Sequence, residues 1–102
     1  MEQVKYAIGQ VVRHNKQNYR GVIIDVDYSF QPQGINSPLM IKKNISTEHP
    51  WYRVLVDNSN YITYVKETLL DIDNDHDPIC HPELTMYLRE SNGRYLPQYH
   101  LN

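Results

Sequence analysis

The sequence predicts a mainly β fold, a small and strongly curved barrel with a long inserted loop, a short C-terminal helix and a tail. Two observations carry this prediction. Short stretches alternate between apolar and polar residues with period two, which is typical of half-buried strands. Polar turn residues separate these stretches at the spacing of hairpins, and the chain has no long stretch that favours a helix.

The N-terminal part of the chain predicts a first hairpin. A strand at 8–14 and a long strand at 19–28 lie on either side of the polar turn 15–18. Gly21 is expected to mark a bulge or bend early in the second strand. The alternation in that strand places Val22, Ile24 and Val26 on one face and Asp25 and Asp27 on the other.

A second hairpin follows an inserted loop. Residues 29–50 are rich in proline and amide side chains, and one helical turn is expected near 39–43. A loop of this length is unusual in a compact domain and is often functional. The stretch 51–66 then alternates on either side of an Asn/Asp/Ser turn at 57–60, and Tyr52 is expected to lie in the core.

The C-terminal part predicts less regular structure. A helical turn at 66–71 leads to a short closing strand, and an acidic connector at 71–77 follows. A short helix is expected within 81–90, with Gly93 ending it. The tail 94–101 carries several apolar side chains, so we expect it to pack down.

Size and composition indicate one domain, with the barrel in about 6–72 and a C-terminal extension in about 78–102. The 102 residues include nine tyrosines, one tryptophan and one phenylalanine, so aromatic rings must supply much of the core. No stretch approaches the roughly 20 apolar residues of a membrane span. The N-terminus lacks an apolar signal segment, and Cys80 is the one cysteine. We therefore expect a cytoplasmic protein without a membrane partner.

The charges are unevenly distributed along the chain. The formal net charge is −2, but residues 1–20 carry four basic groups and one acidic group. Arg13, Lys16 and Arg20 flank the turn, and Lys5 is close in sequence. Such a projection can follow a phosphate backbone, although a few phosphate contacts give only weak, salt-sensitive affinity. The alternative is a solvated turn without a ligand.

Four segments carry a resemblance to a known family. They are Ile-Gly-Gln-x-Val-Arg-His at 8–14, Tyr-x-Gly-Val-Ile at 19–23, Pro-Trp-Tyr-x-Val at 50–54 and Thr-Tyr-Val at 63–65. In order and spacing they resemble the hemimethylated-DNA-binding YccV-like family, whose bacterial members include heat-shock protein HspQ. The extension at 81–97 looks like that of a second branch, in which the domain is appended to larger proteins.

The resemblance implies an SH3-like barrel without catalytic activity. In the family this barrel is associated with two roles. One is binding of duplex DNA methylated on one strand. The other is assistance to a cytoplasmic ATP-dependent protease and its clients in the heat-shock response and protein quality control.

The acidic connector does not match a calcium loop. Asp71, Asp73 and Asp75 have the spacing of an EF-hand. However, His76 stands at the glycine position and Pro82 at the position of the bidentate glutamate. Calcium in that geometry is therefore rejected.

A transition-metal site and an enzyme are also disfavoured. His76, Asp77, Cys80 and His81 are close in sequence, but zinc usually needs better-spaced ligands. His81 and Glu83 have the His-x-Glu spacing of zinc deaminases, yet the cysteine pair of those enzymes is missing. A polar linker is the better interpretation, and we expect no metal, no cofactor and no catalytic residue.

An aromatic groove is the alternative binding site. Tyr28, Trp51 and Tyr64 could bind a peptide, as aromatic grooves near the loops of small β domains do. The competing interpretation is that Trp51 or Tyr64 fills the barrel interior. DNA binding ranks first on the resemblance, and a protein-interaction module or protease adaptor is the alternative.

Overall fold

The computed structural model of the chain is described for residues 4–28 and 50–98. Within these ranges the elements are β1 (Val11–His14), β2 (Arg20–Asp27), β3 (Trp51–Val56), β4 (Ile62–Lys66), a 3-10 helix (Glu67–Leu69), β5 (Leu70–Ile72), α1 (Leu84–Tyr87), β6 (Leu88–Ser91) and β7 (Arg94–Pro97). The predicted inserted loop lies outside the described residues except for Pro50, as do residues 99–101 of the predicted tail.

Strands β1 to β5 form one antiparallel sheet in the order β4-β3-β2-β1-β5. The mainly β class is thus confirmed, as are both predicted hairpins and the helical turn before the closing strand. In the part of the chain that is described, β4 and β5 lie at opposite edges and the sheet is open. Its closure into an SH3-like barrel stays a prediction.

The first strand is shorter than predicted. It begins at Val11 because residues 7–10 form a turn, in which the N–H of Gln10 donates to the Ala7 carbonyl at 3.1 Å. Gly9 adopts a φ of 94° in this turn. Such a backbone conformation favours glycine.

The predicted faces of β2 are wrong at the end of the strand. Ile23 pairs with Val54 but Asp25 pairs with Arg53, so the register shifts by one residue. This β-bulge moves Val26 to the face opposite Val22.

Gly21 does not mark the bulge. It pairs regularly with Val12 and Val56. A Cβ at this position would lie 2.5 Å from the Leu55 carbonyl oxygen and equally close to a Val54 methyl group. Glycine is therefore needed here for the close approach of β2 and β3.

Each face of the sheet is covered by a hydrophobic cluster. The Tyr52 cluster contains Tyr6, Val12, Ile23, Tyr52, Val54, Val65 and Leu70. The Leu55 cluster contains Val22, Leu55, Ile79 and Leu88. Tyr52 is completely buried, which confirms its predicted place in the core. Because Ile79 and Leu88 belong to the extension, the C-terminal segment covers the second face.

The C-terminal helix is shorter than predicted and is followed by a hairpin. α1 ends at Tyr87, and β6 and β7 pair with each other. Asn92 and Gly93 connect them with φ values of 55° and 78°. Two consecutive positive φ angles define the tight hairpin turn that Asn-Gly favours. Gly93 therefore turns a hairpin and does not end the helix. No helix within 4–28 and 50–98 is long and apolar enough to cross a membrane.

Candidate nucleic-acid interface

The turn between β1 and β2 is held in a defined shape by a buried histidine. The ring Nδ1 of His14 accepts the backbone N–H groups of Lys16 and Gln17 at 3.1 and 3.0 Å. Asn18 has a φ of 59°, and its N–H donates to the His14 carbonyl at 2.8 Å. Lys16 is therefore an exposed cation on a fixed backbone.

Lys5 and the turn lie beside the same 3-10 helix. The Lys5 N–H donates to the Glu67 carboxylate at 2.9 Å. On the other side, the side-chain amide of Asn15 donates to the Thr68 carbonyl at 3.1 Å. The structure thus brings Lys5 and Asn15, the neighbour of Lys16, into contact with one short helix, although both are far from it in sequence.

Lys66 immediately precedes this helix and adds a third cation to its surroundings. The sequence analysis did not single it out. The available signal was its position at the first residue of the predicted helical turn, but only the tertiary contacts place that turn beside Lys5 and Asn15.

Arg13 is half-exposed beside the turn. Its side chain is 39% exposed and lies 3.4 Å from the Asp73 carboxylate. The guanidinium also donates weakly to the backbone and side-chain oxygens of Asn18 at 3.4 and 3.3 Å. The Arg13 guanidinium is therefore partly occupied by Asp73 and Asn18, and the rest of the side chain is accessible to a ligand.

Arg20 pairs with Arg13 across β1 and β2, yet it is buried. Its side chain is 9% exposed and donates to Asp73 at 2.6 Å and to Asp57 at 3.0 Å. It also donates to the backbone carbonyls of Asp75 and Asp77. We call Arg20 and these four aspartates the Arg20 cluster. Contact of Arg20 with phosphate would require this cluster to open.

The Arg20 cluster fastens the extension to the sheet. Asp57 accepts Arg20 with one carboxylate oxygen and the Cys80 N–H with the other, at 2.7 Å. Burial lowers the pKa of the Arg20 guanidinium, but the hydrogen bonds to Asp73 and Asp57 outweigh it, and the pKa lies above its ordinary value. The acidic connector is thus more than a polar linker, because it supplies the oxygens that neutralise a buried cation.

A second hydrogen-bond network is centred on the Tyr52 hydroxyl and includes the backbone N–H of Lys5. The hydroxyl of Tyr52 donates to Glu67 at 2.5 Å and accepts the N–H groups of Lys5 and Tyr6, each at 3.2 Å. Burial, followed by the hydrogen bond to Glu67, raises the pKa of Tyr52 to about 12. Burial and nearby carboxylates also raise the pKa of Tyr6.

Two of the three predicted aromatic site residues meet on the sheet. Trp51 and Tyr64 are half-buried and stack with ring centroids 5.3 Å apart. The Arg53 guanidinium lies 4.6 Å from the Tyr64 ring centroid, and the Tyr64 hydroxyl donates to Asp27 at 2.6 Å. Tyr28, which follows β2, is 61% exposed.

His81, one of the two histidines considered as metal ligands, has other partners. His81 is buried, its Nδ1 accepts the Glu83 N–H, and its Nε2 lies 3.0 Å from the Tyr61 carbonyl oxygen. Since Nδ1 is the acceptor, Nε2 carries the proton. Among the described residues, no group of three histidine, cysteine or acidic side chains is placed to hold a metal ion.

The sheet, its two clusters and the exposed basic turn define a small, mainly β protein. Comparison with family models identifies it further. The model described as "Hemimethylated DNA-binding protein YccV like" matches residues 4–95, and the chain belongs to this family.

Proposed function

We propose that the protein is a non-catalytic, cytoplasmic module that binds duplex DNA methylated on one strand. Its membership of a family described as hemimethylated DNA-binding supports the DNA partner. The proposed phosphate contacts are Lys5, Arg13 and Lys16. The sequence analysis also predicted Arg20 as a phosphate contact. It is left out of this set because its guanidinium is buried among carboxylates.

The observation that carries the proposal is the fixed, exposed turn at 15–17, which contacts the same 3-10 helix as Lys5. A fixed backbone reduces the conformational entropy lost when the turn meets phosphate. Three phosphate contacts predict a slope of roughly −3 for the logarithm of affinity against the logarithm of salt. We therefore expect weak, strongly salt-dependent binding.

We further propose that sheet and extension act as one domain. The Leu55 cluster joins Val22 and Leu55 of the sheet to Ile79 and Leu88 of the extension. Truncation before Ile79 would expose this face, so DNA binding is best tested on the full chain.

The test is a charge reversal with a matched control. A double variant, Lys5→Glu and Lys16→Glu, should abolish a salt-sensitive shift of a short hemimethylated duplex. The control, Arg89→Glu and Arg94→Glu, changes the net charge equally on exposed positions of β6 and β7. It should reduce affinity only slightly, because charges beyond about 10 Å are largely screened at moderate salt.

Equal losses in the two variants would contradict the proposed contact residues. Absence of any shift with the parent protein at low salt would contradict DNA binding itself. Comparison of hemimethylated, fully methylated and unmethylated duplexes tests the methylation preference, which requires side chains at base edges or at the methyl group.

A protein-interaction module, such as an adaptor for an ATP-dependent protease, is the second candidate. The stacked rings of Trp51 and Tyr64 and the exposed ring of Tyr28 favour it, since aromatic side chains are enriched at interfaces. If it holds, Tyr28→Ala and Trp51→Ala should weaken the effect of the protein on client degradation by a purified protease. Tyr61→Ala, at another exposed tyrosine, is the control. Unchanged degradation with and without the parent protein would exclude this role for the protease used.

A further inference from the structure

A cleft of about 550 Å³ lies between the loop 7–11, the stretch 72–78 and the hairpin residues 90–96. None of the proposed DNA contacts, Lys5, Arg13 or Lys16, lines it. The cleft is therefore a different surface from the basic turn, although it adjoins Arg13 through Asp73. It is large enough for several side chains of a ligand.

The cleft has an apolar lining of Ile8, Val11, Ile72, Tyr95 and Leu96. Ile72 is 54% exposed although it lies in a strand. Tyr95 is anchored from the other side, because its hydroxyl accepts the Ile79 N–H at 2.8 Å. One wall is thus held in place while apolar surface remains open to a ligand.

The polar lining is acidic. Asp77 and Glu90 are exposed, and Arg94 is the one lysine or arginine among the described residues that line the cleft. Asp75 is also exposed, but its carboxylate accepts the Asp77 N–H at 3.0 Å and lies 4.0 Å from the Arg20 guanidinium. Asp73 also lines it, but its carboxylate is already bonded to Arg20. The exposed carboxylates therefore outnumber the cation, and the cleft attracts positive charge.

We propose that this cleft binds an extended segment of a partner protein in which lysine or arginine alternates with apolar residues. The aliphatic part of each lysine or arginine and the apolar side chains of the segment would lie on Ile72 and Leu96. The charged groups of the segment would reach Asp77 and Glu90. Duplex DNA is excluded as the occupant because its phosphates would meet carboxylates of the same sign.

The experiment measures fluorescence anisotropy of a short labelled peptide with alternating arginine and leucine. The parent protein should bind it saturably at low salt, and the same peptide with glutamate in place of arginine should not bind. The double variant Asp77→Lys and Glu90→Lys should weaken binding at least about tenfold, since it turns attraction into repulsion at both positions.

The matched control is Asp25→Lys with Glu83→Lys. It changes the net charge equally at carboxylates outside the cleft, and it should weaken binding less than about twofold because distant charges are screened. Equal weakening by both variants, or binding of the glutamate peptide, would overturn the proposal.

A third variant separates docking in the cleft from simple charge attraction. Ile72→Asn removes exposed apolar surface without changing charge, and it should weaken the arginine–leucine peptide severalfold. An unchanged affinity would contradict the proposed contact between the peptide and the apolar lining of the cleft.

Discussion

The two faces of the sheet are covered by different parts of the chain and held by different forces. The Tyr52 cluster is covered by the N-terminal segment, where the hydroxyl of Tyr6 donates to the Leu70 carbonyl at 2.8 Å. The Leu55 cluster is covered by the extension, which is fastened by the ion pairs of Arg20. One cover thus depends on hydrogen bonds among backbone groups, tyrosine hydroxyls and the Glu67 carboxylate, and the other on the ion pairs of a buried cation. Substitutions can therefore affect the two faces separately.

The largest loss of stability is expected when the ion pairs of Arg20 are removed. Arg20→Met should lower the free energy of unfolding by about 3–5 kcal/mol, because it leaves the carboxylates of Asp57 and Asp73 buried without their cation. Urea denaturation followed by tryptophan fluorescence measures it.

Arg13→Met is the matched control at the paired position on β1. Since Arg13 is 39% exposed, its loss should cost at most about 1 kcal/mol. If Arg20→Met does not fold, Arg20→Lys keeps the charge and should be measurable. Similar costs for Arg13→Met and Arg20→Met would contradict the distinction between them.

The contrast between Arg13 and Arg20 shows what could not be predicted from the sequence alone. Arg13 and Arg20 flank one turn and look alike in the sequence. What buries Arg20 is contact with Asp57, Asp73 and two carbonyls, which lie 37 to 57 residues away. Period-two alternation is a local property and contains no information on such partners. The same limit hid the position of Lys66 beside the contacts of Lys5 and Asn15.

The strands were more predictable, since hairpins depend on neighbouring residues. Alternation and turn composition located both hairpins of the sheet and the 3-10 helix to within a few residues. A bulge or bend in β2 was predicted at Gly21, but the bulge lies after Ile23, where nothing local marks it. The third hairpin was missed for a different reason, because the Asn92–Gly93 turn signal was present and Gly93 was interpreted as the end of a helix.

The second prediction concerns the contact between the N-terminal loop and the C-terminal hairpin. Gly9 has a φ of 94°, and a Cβ there would collide with the Tyr95 carbonyl oxygen. Gly9→Ala combines left-handed strain with overpacking, so we expect a loss of about 2–4 kcal/mol. Thermal unfolding by circular dichroism measures it.

Gly93→Ala separates the two causes. Gly93 also has a positive φ, of 78°, but no atom lies within 4 Å of an added Cβ. Only the strain of about 1–2 kcal/mol should remain there. Equal losses at Gly9 and Gly93 would mean that the contact with Tyr95 does not hold the hairpin against the sheet.

The smallest loss of stability is expected in the hydrogen-bond network of the Tyr52 hydroxyl. Tyr52→Phe removes a hydroxyl that donates to Glu67 and accepts two backbone N–H groups. The loss at neutral pH should be about 1–3 kcal/mol, because buried polar groups lose their partner. Urea denaturation at neutral pH measures it, and Tyr61→Phe, at a residue that is 68% exposed, should change almost nothing.

The pH dependence distinguishes this network from the charged one. The pKa of Tyr52 is raised from 10.0 to about 12, so between these values the folded protein holds a proton that the unfolded chain has lost. Stability from this group is complete below pH 10 and falls as the pH rises towards 12, with a slope of at most roughly 1.4 kcal/mol per pH unit. Tyr52→Phe should therefore flatten the alkaline decline of stability, leaving the smaller contribution of Tyr6, whereas Arg13→Met should not. An equally steep decline in Tyr52→Phe would show that the hydroxyl network does not hold the N-terminal cover in place.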